Sequence, residues 1–330
     1  MTNPDPHPTE ELIACGEDVT VEVLVPREVP LGGPRAMTVR RTLPARHRSL
    51  VGAWCFLDHY GPDPVSETGG MNVPPHPHIG LQTVSWLFTG EIEHRDSTGV
   101  KAMVRPSEFN LMTGGRGISH SEVSTPETTV LHGVQLWVAL PAEAKDVEPG
   151  FDHYVPDAVR GEGWEARVFV GSLLGDTSPV RTHSPLLGAE LLLDDDTTMT
   201  LDLDPSYEHG ILLDAGSLTV GEEDVEPGEL LYLGTGHHRV TLRAGIAARL
   251  VVIGGPPFGE EILMWWNFVG RTHEEVVAAR EEWQAQLHRD GELVTDSTLV
   301  QPGRFGVVPG QHLPPIPAPP MPQVRLRPRR

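Results

Sequence analysis

RPSEFNLMTGGRG, Arg105 to Gly117, can be laid over EPGELLYLGTGHH, Glu226 to His238, so that Pro106 falls on Pro227 and Glu108 on Glu229. In both stretches a short apolar strand then runs into a glycine-rich turn. Upstream, LFTGEIEH has a looser counterpart in LLDAGSLTV, with a slip of a few positions from the offset of 121 that separates residues 105 and 226. A period this long marks two copies of one β-unit, not a solenoid. Around the first copy, from about Thr20 to Pro141, apolar runs alternate with glycine and proline punctuation (VEVLVP, GAWCFLDHYG, LQTVSWLFTG, GVQLWVALP), which is β-sheet spacing. A chain of 330 residues is also long enough for two domains.

Composition narrows the function classes. The 46 acidic against 25 basic side chains give a formal charge of −21, which repels phosphate backbones and anionic membranes, so direct nucleic-acid binding is not expected. Cys15 and Cys55 fit neither a disulfide framework nor a zinc knuckle and read as free thiols in a reducing compartment. The N-terminal MTNPDPHPTEELIACGE lacks the basic and apolar regions of a signal peptide, and no apolar run is long enough to span a membrane. A soluble, cytoplasmic protein is expected. No GxGxxG, P-loop or GxSxG is present, which removes the usual nucleotide and serine-hydrolase chemistries. GGRG at Gly114 to Gly117 reads as a tight turn needing positive φ.

One helix is expected, in GRTHEEVVAAREEWQAQLH: Thr272 and Glu275 make a capping box, and Val276, Ala279, Trp283 and Leu287 share a face. From about Gln301 the chain is proline-rich and ends on basic residues, so an extension that is disordered or draped over the surface is expected. The expected divisions are a lead-in over 1–19, a metal-binding barrel over 20–150, a degenerate barrel over 151–270, the helix within 271–290 and the tail over 291–330.

The chemistry is carried by histidine. In VPPHPHIGLQTVSWLF, Val73 to Phe88, a single strand places His76 and His78 on one face. Continuing that phase, Gln82, Val84, Trp86 and Phe88 join the histidine face, while Leu81, Thr83, Ser85 and Leu87 face a second layer. A His-x-His pair alone is weak evidence. In GRGISHSEV, however, His120 and Glu122 repeat the spacing, and two such pairs on antiparallel neighbours can bring three imidazoles and a carboxylate to one point. That donor set favours iron or manganese, with copper, nickel and zinc also compatible, and four protein ligands leave positions open for catalysis or ligand exchange. His94 and Asp96 share a face and read as either ligands or neighbours of ligands. His59 and His132 read as isolated hydrogen-bonding groups near the rim. In the second copy, YEHG and the pair His237 and His238 read as a degenerate site kept for structure.

The segments HPHIGLQTVSWLFTGEIEHRDS, TGGRGISHSE, GVQLWVALP and PFGEEILMWWNFVGRTHEEV together resemble the pirin family of the cupin superfamily, over roughly Ser49 to Leu287. The resemblance implies an all-β bicupin: two antiparallel β-barrels of the double-stranded β-helix, or jelly-roll, type, with a short C-terminal helix and an extended tail. It implies one metal, usually Fe(II), in the N-terminal barrel, on His76, His78, His120 and Glu122. Two departures stand out: Ile79 replaces a usual arginine and Gln82 a usual glutamate, which puts substrate orientation in doubt. The implied functions are a quercetin 2,3-dioxygenase acting on a small aromatic substrate and O2, with Glu122 as the catalytic proton acceptor, or a non-enzymatic iron-dependent regulator of a protein partner. A metal-dependent isomerase or hydrolase is a third class.

Overall fold

The computed structural model describes residues 11–13, 21–30 and 37–326; Cys15 and the last four residues lie outside them. The protein is all-β with two cupin-type barrels and a short C-terminal helix, as expected. The first barrel sets a seven-stranded sheet against a four-stranded one. The larger runs in the order Gly150–Tyr154, Phe109–Thr113, Leu81–Thr89, Val130–Ala139, Trp54–Pro64, Thr38–Leu43, Arg27–Pro30, and the smaller in the order Asn72–His78, Ile118–Ser124, Ile92–Asp96, Lys101–Val104. The second barrel is built around the long antiparallel pair Glu208–Val220 and Arg239–Gly255. Strand exchange ties the two together, because Val21–Leu24 precedes the first barrel yet pairs with Leu230–Leu233 of the second.

The internal repeat has a physical counterpart. Pro106 precedes Ser107 at φ 62°, and Pro227 precedes Gly228 at φ 93°. The Glu108 N–H returns to the Arg105 carbonyl at 3.2 Å, and the Glu229 N–H to the Glu226 carbonyl at 3.0 Å. Both are four-residue turns in which proline fixes the first corner and a left-handed residue the second. Ser107 and Gly228, 121 positions apart, donate to Leu87 and Leu213, 126 positions apart, so the slip lies in the strand that receives the turn.

The stretch Val73 to Phe88 is not one strand. Asn72–His78 and Leu81–Thr89 belong to different sheets, joined through Gly80 at φ +66°, where a Cβ would stand 2.0 Å from the Val269 carbonyl oxygen. This turn overturns the expected facing. Val84 and Trp86 pack into the apolar layer between the barrels with Trp54, Leu57, Phe169, Tyr232 and Ile253, and Phe88 lies against the same layer. Leu81 and Leu87 face the first barrel's own interior, Leu81 beside Phe56 and Trp137 and Leu87 beside Tyr60 and Val73. Side-chain alternation does not run on from His78 to Leu81, because the turn at Gly80 interrupts it.

The helix His273–Gln286 forms where its spacing predicts. Thr272 accepts from the Glu275 N–H at 3.2 Å, and the Glu275 carboxylate accepts from Arg271 N–H at 2.6 Å, one residue before the bond of a reciprocal capping box. Val276, Ala279, Trp283 and Leu287 are all buried. The tail is irregular and draped, and it is anchored. Phe305, Ala318 and Leu326 are buried in the helix's cluster, Trp283 Nε1–H donates to the Ile316 carbonyl at 2.8 Å, and Ile316 N–H donates to the Pro75 carbonyl at 2.8 Å. Among the described residues no helix is long and apolar enough to cross a membrane.

Candidate metal centre

Strand Ile118–Ser124 lies between Asn72–His78 and Ile92–Asp96, so His120 is registered opposite His76 on one side and opposite Asp96 on the other. This is the antiparallel neighbour relation that the two histidine pairs imply. One ring nitrogen from each of His76, His78 and His120 lies within 4.8 Å of the others, and His78 Nε2 stands 3.1 Å from His120 Nε2. All three side chains are fully buried.

Backbone carbonyls decide which nitrogens are available. His76 Nδ1–H donates to the Pro74 carbonyl at 2.9 Å, leaving its Nε2 buried without a partner. His78 Nδ1–H donates to the Asn267 carbonyl at 3.1 Å, from a segment 189 positions away that returns to the first barrel after the second is complete. Each imidazole therefore keeps its Nε2 lone pair. Burial pushes the His76 pKa down to about 3 and those of His78 and His120 well below 6.5, with the neighbouring imidazoles adding to the effect at the last two. Neutral imidazoles with converging lone pairs, one of them orphaned in a dry interior, fit a divalent metal ion.

Glu122 sits one step to the side. A register shift between His120 and Glu122 sets it opposite Val73 on the His76 strand and opposite His94 on the other side, and its carboxylate lies within 4.8 Å of ring nitrogens of His94 and His120. Ser85 Oγ lies 3.3 Å from Glu122 Oε1 and 3.1 Å from Gln135 Oε1, so one hydroxyl links the carboxylate to the opposite sheet. His94 does not join His76 and His78; its Nδ1 stands 3.4 Å from His120 Nδ1 and its Nε2 3.1 Å from Asp96 Oδ2. Trp137 closes the other flank, edge-on to His78 at 5.3 Å and stacked on Phe56 at 4.1 Å. Ser85, Gln135 and Trp137 were not singled out from the sequence. Inward alternation beyond Gly80 is the signal that would have found Ser85.

Both departures from the common pattern are structural. Ile79 fills an apolar cluster with Trp265 and Phe268. Gln82 donates to Thr113 Oγ1 at 2.9 Å and shares the strand phase of Val84 and Trp86, which face the other barrel.

A second donor cluster corrects the reading of His59 and His132 as isolated rim groups. Both are buried, and both Nε2–H groups donate to one oxygen of Asp214 from the second barrel, at 2.7 and 2.6 Å. Asp214 lies in LLDAGSLTV, within the repeat, but nothing in its local sequence points to His59. In the second barrel, Glu208 accepts from Gly52 N–H at 2.7 Å and from the Tyr232 hydroxyl at 2.8 Å. Among the described residues, His209, His237 and His238 join no cluster of three metal-ligating side chains. GGRG is the turn expected, with Gly115 at φ 49°.

Comparison with known proteins identifies the family. Residues 36–138 match the family model for Pirin and residues 188–288 the one for the Pirin C-terminal cupin domain. A Pseudomonas aeruginosa protein named "Putative quercetin 2,3-dioxygenase" is 46% identical over 269 residues, covering 81% of this chain and 84% of its own. A "Pirin-like protein" of Caulobacter vibrioides is 34% identical over 256 residues, 75% of this chain and 88% of its own. The crystal structure of an Acinetobacter baumannii quercetin 2,3-dioxygenase superposes with a TM-score of 0.83 at 37% identity, covering 92% of this chain and 97% of that one. With a pirin model on each barrel and such relatives matched across most of their length, the chain belongs to the pirin family.

Proposed function

We propose that this chain is a metal-dependent dioxygenase of the quercetin 2,3-dioxygenase type, with Fe(II) held by His76, His78, His120 and Glu122. The observation that carries the reading is the pair of Nδ1–H bonds to backbone carbonyls, which aim two buried Nε2 lone pairs at the point His120 also reaches. The names of the relatives supply the substrate class, a flavonol with O2 as co-substrate. Bound iron would supply a Lewis-acidic, redox-active centre with exchangeable positions.

The chain's own residues do the rest. Glu122 accepts the proton of the substrate hydroxyl, and Ser85 Oγ orients its carboxylate. Phe56, Tyr60, Leu87 and Trp137, all fully buried, replace the expected wall of Val84, Trp86 and Phe88 as the surface that keeps water from the reacting groups. The partner-binding alternative rests on the family resemblance together with the proline-rich tail, and in the described residues that tail is engaged by its own chain through Pro75, Trp283 and Arg280.

Elemental analysis of the purified protein beside a His76→Ala, His120→Ala double variant tests the site, and aerobic incubation with quercetin tests the chemistry. Near-stoichiometric iron that disappears in the variant, with oxygen uptake and carbon monoxide release, is the expected result. Iron without uptake would end the dioxygenase reading, turnover independent of oxygen would point to an isomerase or hydrolase, and a wild type that cannot be loaded would end both parts.

A further inference from the structure

We infer that His94, locked by Asp96, is a positioning residue that sets the tautomer and orientation of His120. The inference rests on the metal-centre reading above and does not depend on which reaction the centre performs.

The argument starts at Asp96. Its Oδ1 accepts from Thr98 N–H at 2.8 Å, Thr98 Oγ–H at 2.6 Å and Val100 N–H at 3.3 Å, which fixes the carboxylate in the turn after its strand. Its Oδ2 then faces His94 Nε2 at 3.1 Å. An ionised carboxylate only accepts, so the His94 proton belongs on Nε2 and its lone pair on Nδ1. That lone pair faces His120 Nδ1 at 3.4 Å. His120 must therefore donate from Nδ1, which leaves its Nε2 lone pair on the side of His78. The opposite assignment, with His94 donating from Nδ1, would set a bare Nε2 against the carboxylate, acceptor against acceptor. Phe151 packs on the His94 ring at 4.7 Å and 31°, holding its plane.

The three imidazoles are thus oriented by two different means. His76 and His78 donate to backbone carbonyls, while His120 alone donates to a side chain, so it is the one whose orientation a substitution can remove. Groups that orient metal-bound histidines typically change metal affinity by roughly 10- to 100-fold when lost.

Two variants of the full chain test this, each checked for wild-type circular dichroism and melting temperature. His94→Leu removes the acceptor, and His94→Gln offers an amide oxygen in its place. Iron(II) and cobalt(II) affinities are read by chelator competition, and the cobalt(II)-loaded protein is read by NMR for hyperfine-shifted, solvent-exchangeable N–H signals. The expected result is a loss of roughly 10- to 100-fold in His94→Leu, restored to within a few-fold in His94→Gln, with the His120 Nδ1–H signal lost only in the leucine variant. Wild-type affinity in His94→Leu, with all N–H signals retained, overturns the inference alone. Equal loss in both variants makes His94 a ligand and overturns it too. Absence of metal in the wild type overturns the inference together with the metal-centre reading.

Discussion

His59 and Asp214 stand 155 positions apart and meet at 2.7 Å, Nε2–H to Oδ1, across the seam between the two barrels. His132 donates to the same oxygen at 2.6 Å, and Arg249 approaches the other at 3.3 Å. Burial alone would raise the Asp214 pKa, but donation from His132 and His59 holds it well below the usual carboxylate range. Removing the carboxylate strands two buried donors beside Arg249. Asp214→Ala is expected to cost about 3 kcal/mol of unfolding free energy, within the range for breaking a buried charged network. The check is urea unfolding together with metal analysis: stability should fall while metal content at His76 and His78 holds. A change below about 0.5 kcal/mol, the scale of ordinary surface substitutions, would show that the seam does not depend on this network.

Acid should destabilise the protein before its carboxylates titrate. Burial pushes the His209 pKa down to about 4 and lowers that of His59 as well, whereas an unfolded imidazole titrates near 6.5. Above pH ~6.5 both states are neutral and stability is independent of these groups. Below it the unfolded chain takes protons that the fold refuses, so stability is lost as pH falls toward 4, by about 1.4 kcal/mol per unit for His209. Unfolding free energies at pH 7.5, 6 and 5 should show this slope, shallower by one proton in His209→Leu. Parallel slopes in the two proteins would remove His209 from the account.

Burial also pushes the Cys55 thiol far above its usual value, and the side chain sits in the cluster of Phe56, Leu81 and Trp137 with no exposed surface. A thiol that neither ionises nor meets solvent does not react. In a Cys15→Ser background, Cys55 should resist a thiol-disulfide reagent at pH 8 for as long as the protein is folded and react fully in denaturant. Rapid labelling of the native protein would contradict this packing.

The parts legible in the sequence were those written locally. The two His-x-His and His-x-Glu pairs set side-chain direction by alternation, and Pro106 and Pro227 announce the turns that define the repeat. Alternation failed at Gly80 because a left-handed residue moves the chain into another sheet, sending Val84 and Trp86 to the seam and leaving Ser85 beside Glu122. Asn267 and Asp214 were illegible for a different reason. Each acts on a histidine more than 80 positions away, through a carbonyl in one case and a single carboxylate oxygen in the other, and neither contact leaves a local pattern.

The sequence predicts a tail that is disordered or draped over the surface, and the contacts of its described residues make it a support for the sheet that carries His76, His78 and His120. Ser119 Oγ donates to the Phe305 carbonyl at 2.9 Å, Gln311 Nε2–H donates to Ser121 Oγ at 3.2 Å, and Ile316 N–H reaches the Pro75 carbonyl. Ser119 and Ser121 alternate with His120 and Glu122, so the tail lies on the reverse face of the strand that carries them, not over the histidines. Deleting residues 301–330 exposes the surface that Phe305 covers and strips Trp283 of its acceptor. Burial of one phenylalanine is worth about 2 to 3 kcal/mol, so a loss of at least about 3 kcal/mol is expected once the hydrogen bonds are included. Because the two strands that carry His76, His78 and His120 lose their backing, metal affinity should fall with stability, read by chelator competition at a temperature where the truncated protein is still folded. A truncated protein with wild-type melting temperature and wild-type affinity would show that the tail merely rests on the sheet. A stability loss with unchanged affinity would show that the first barrel holds its histidines in place without help.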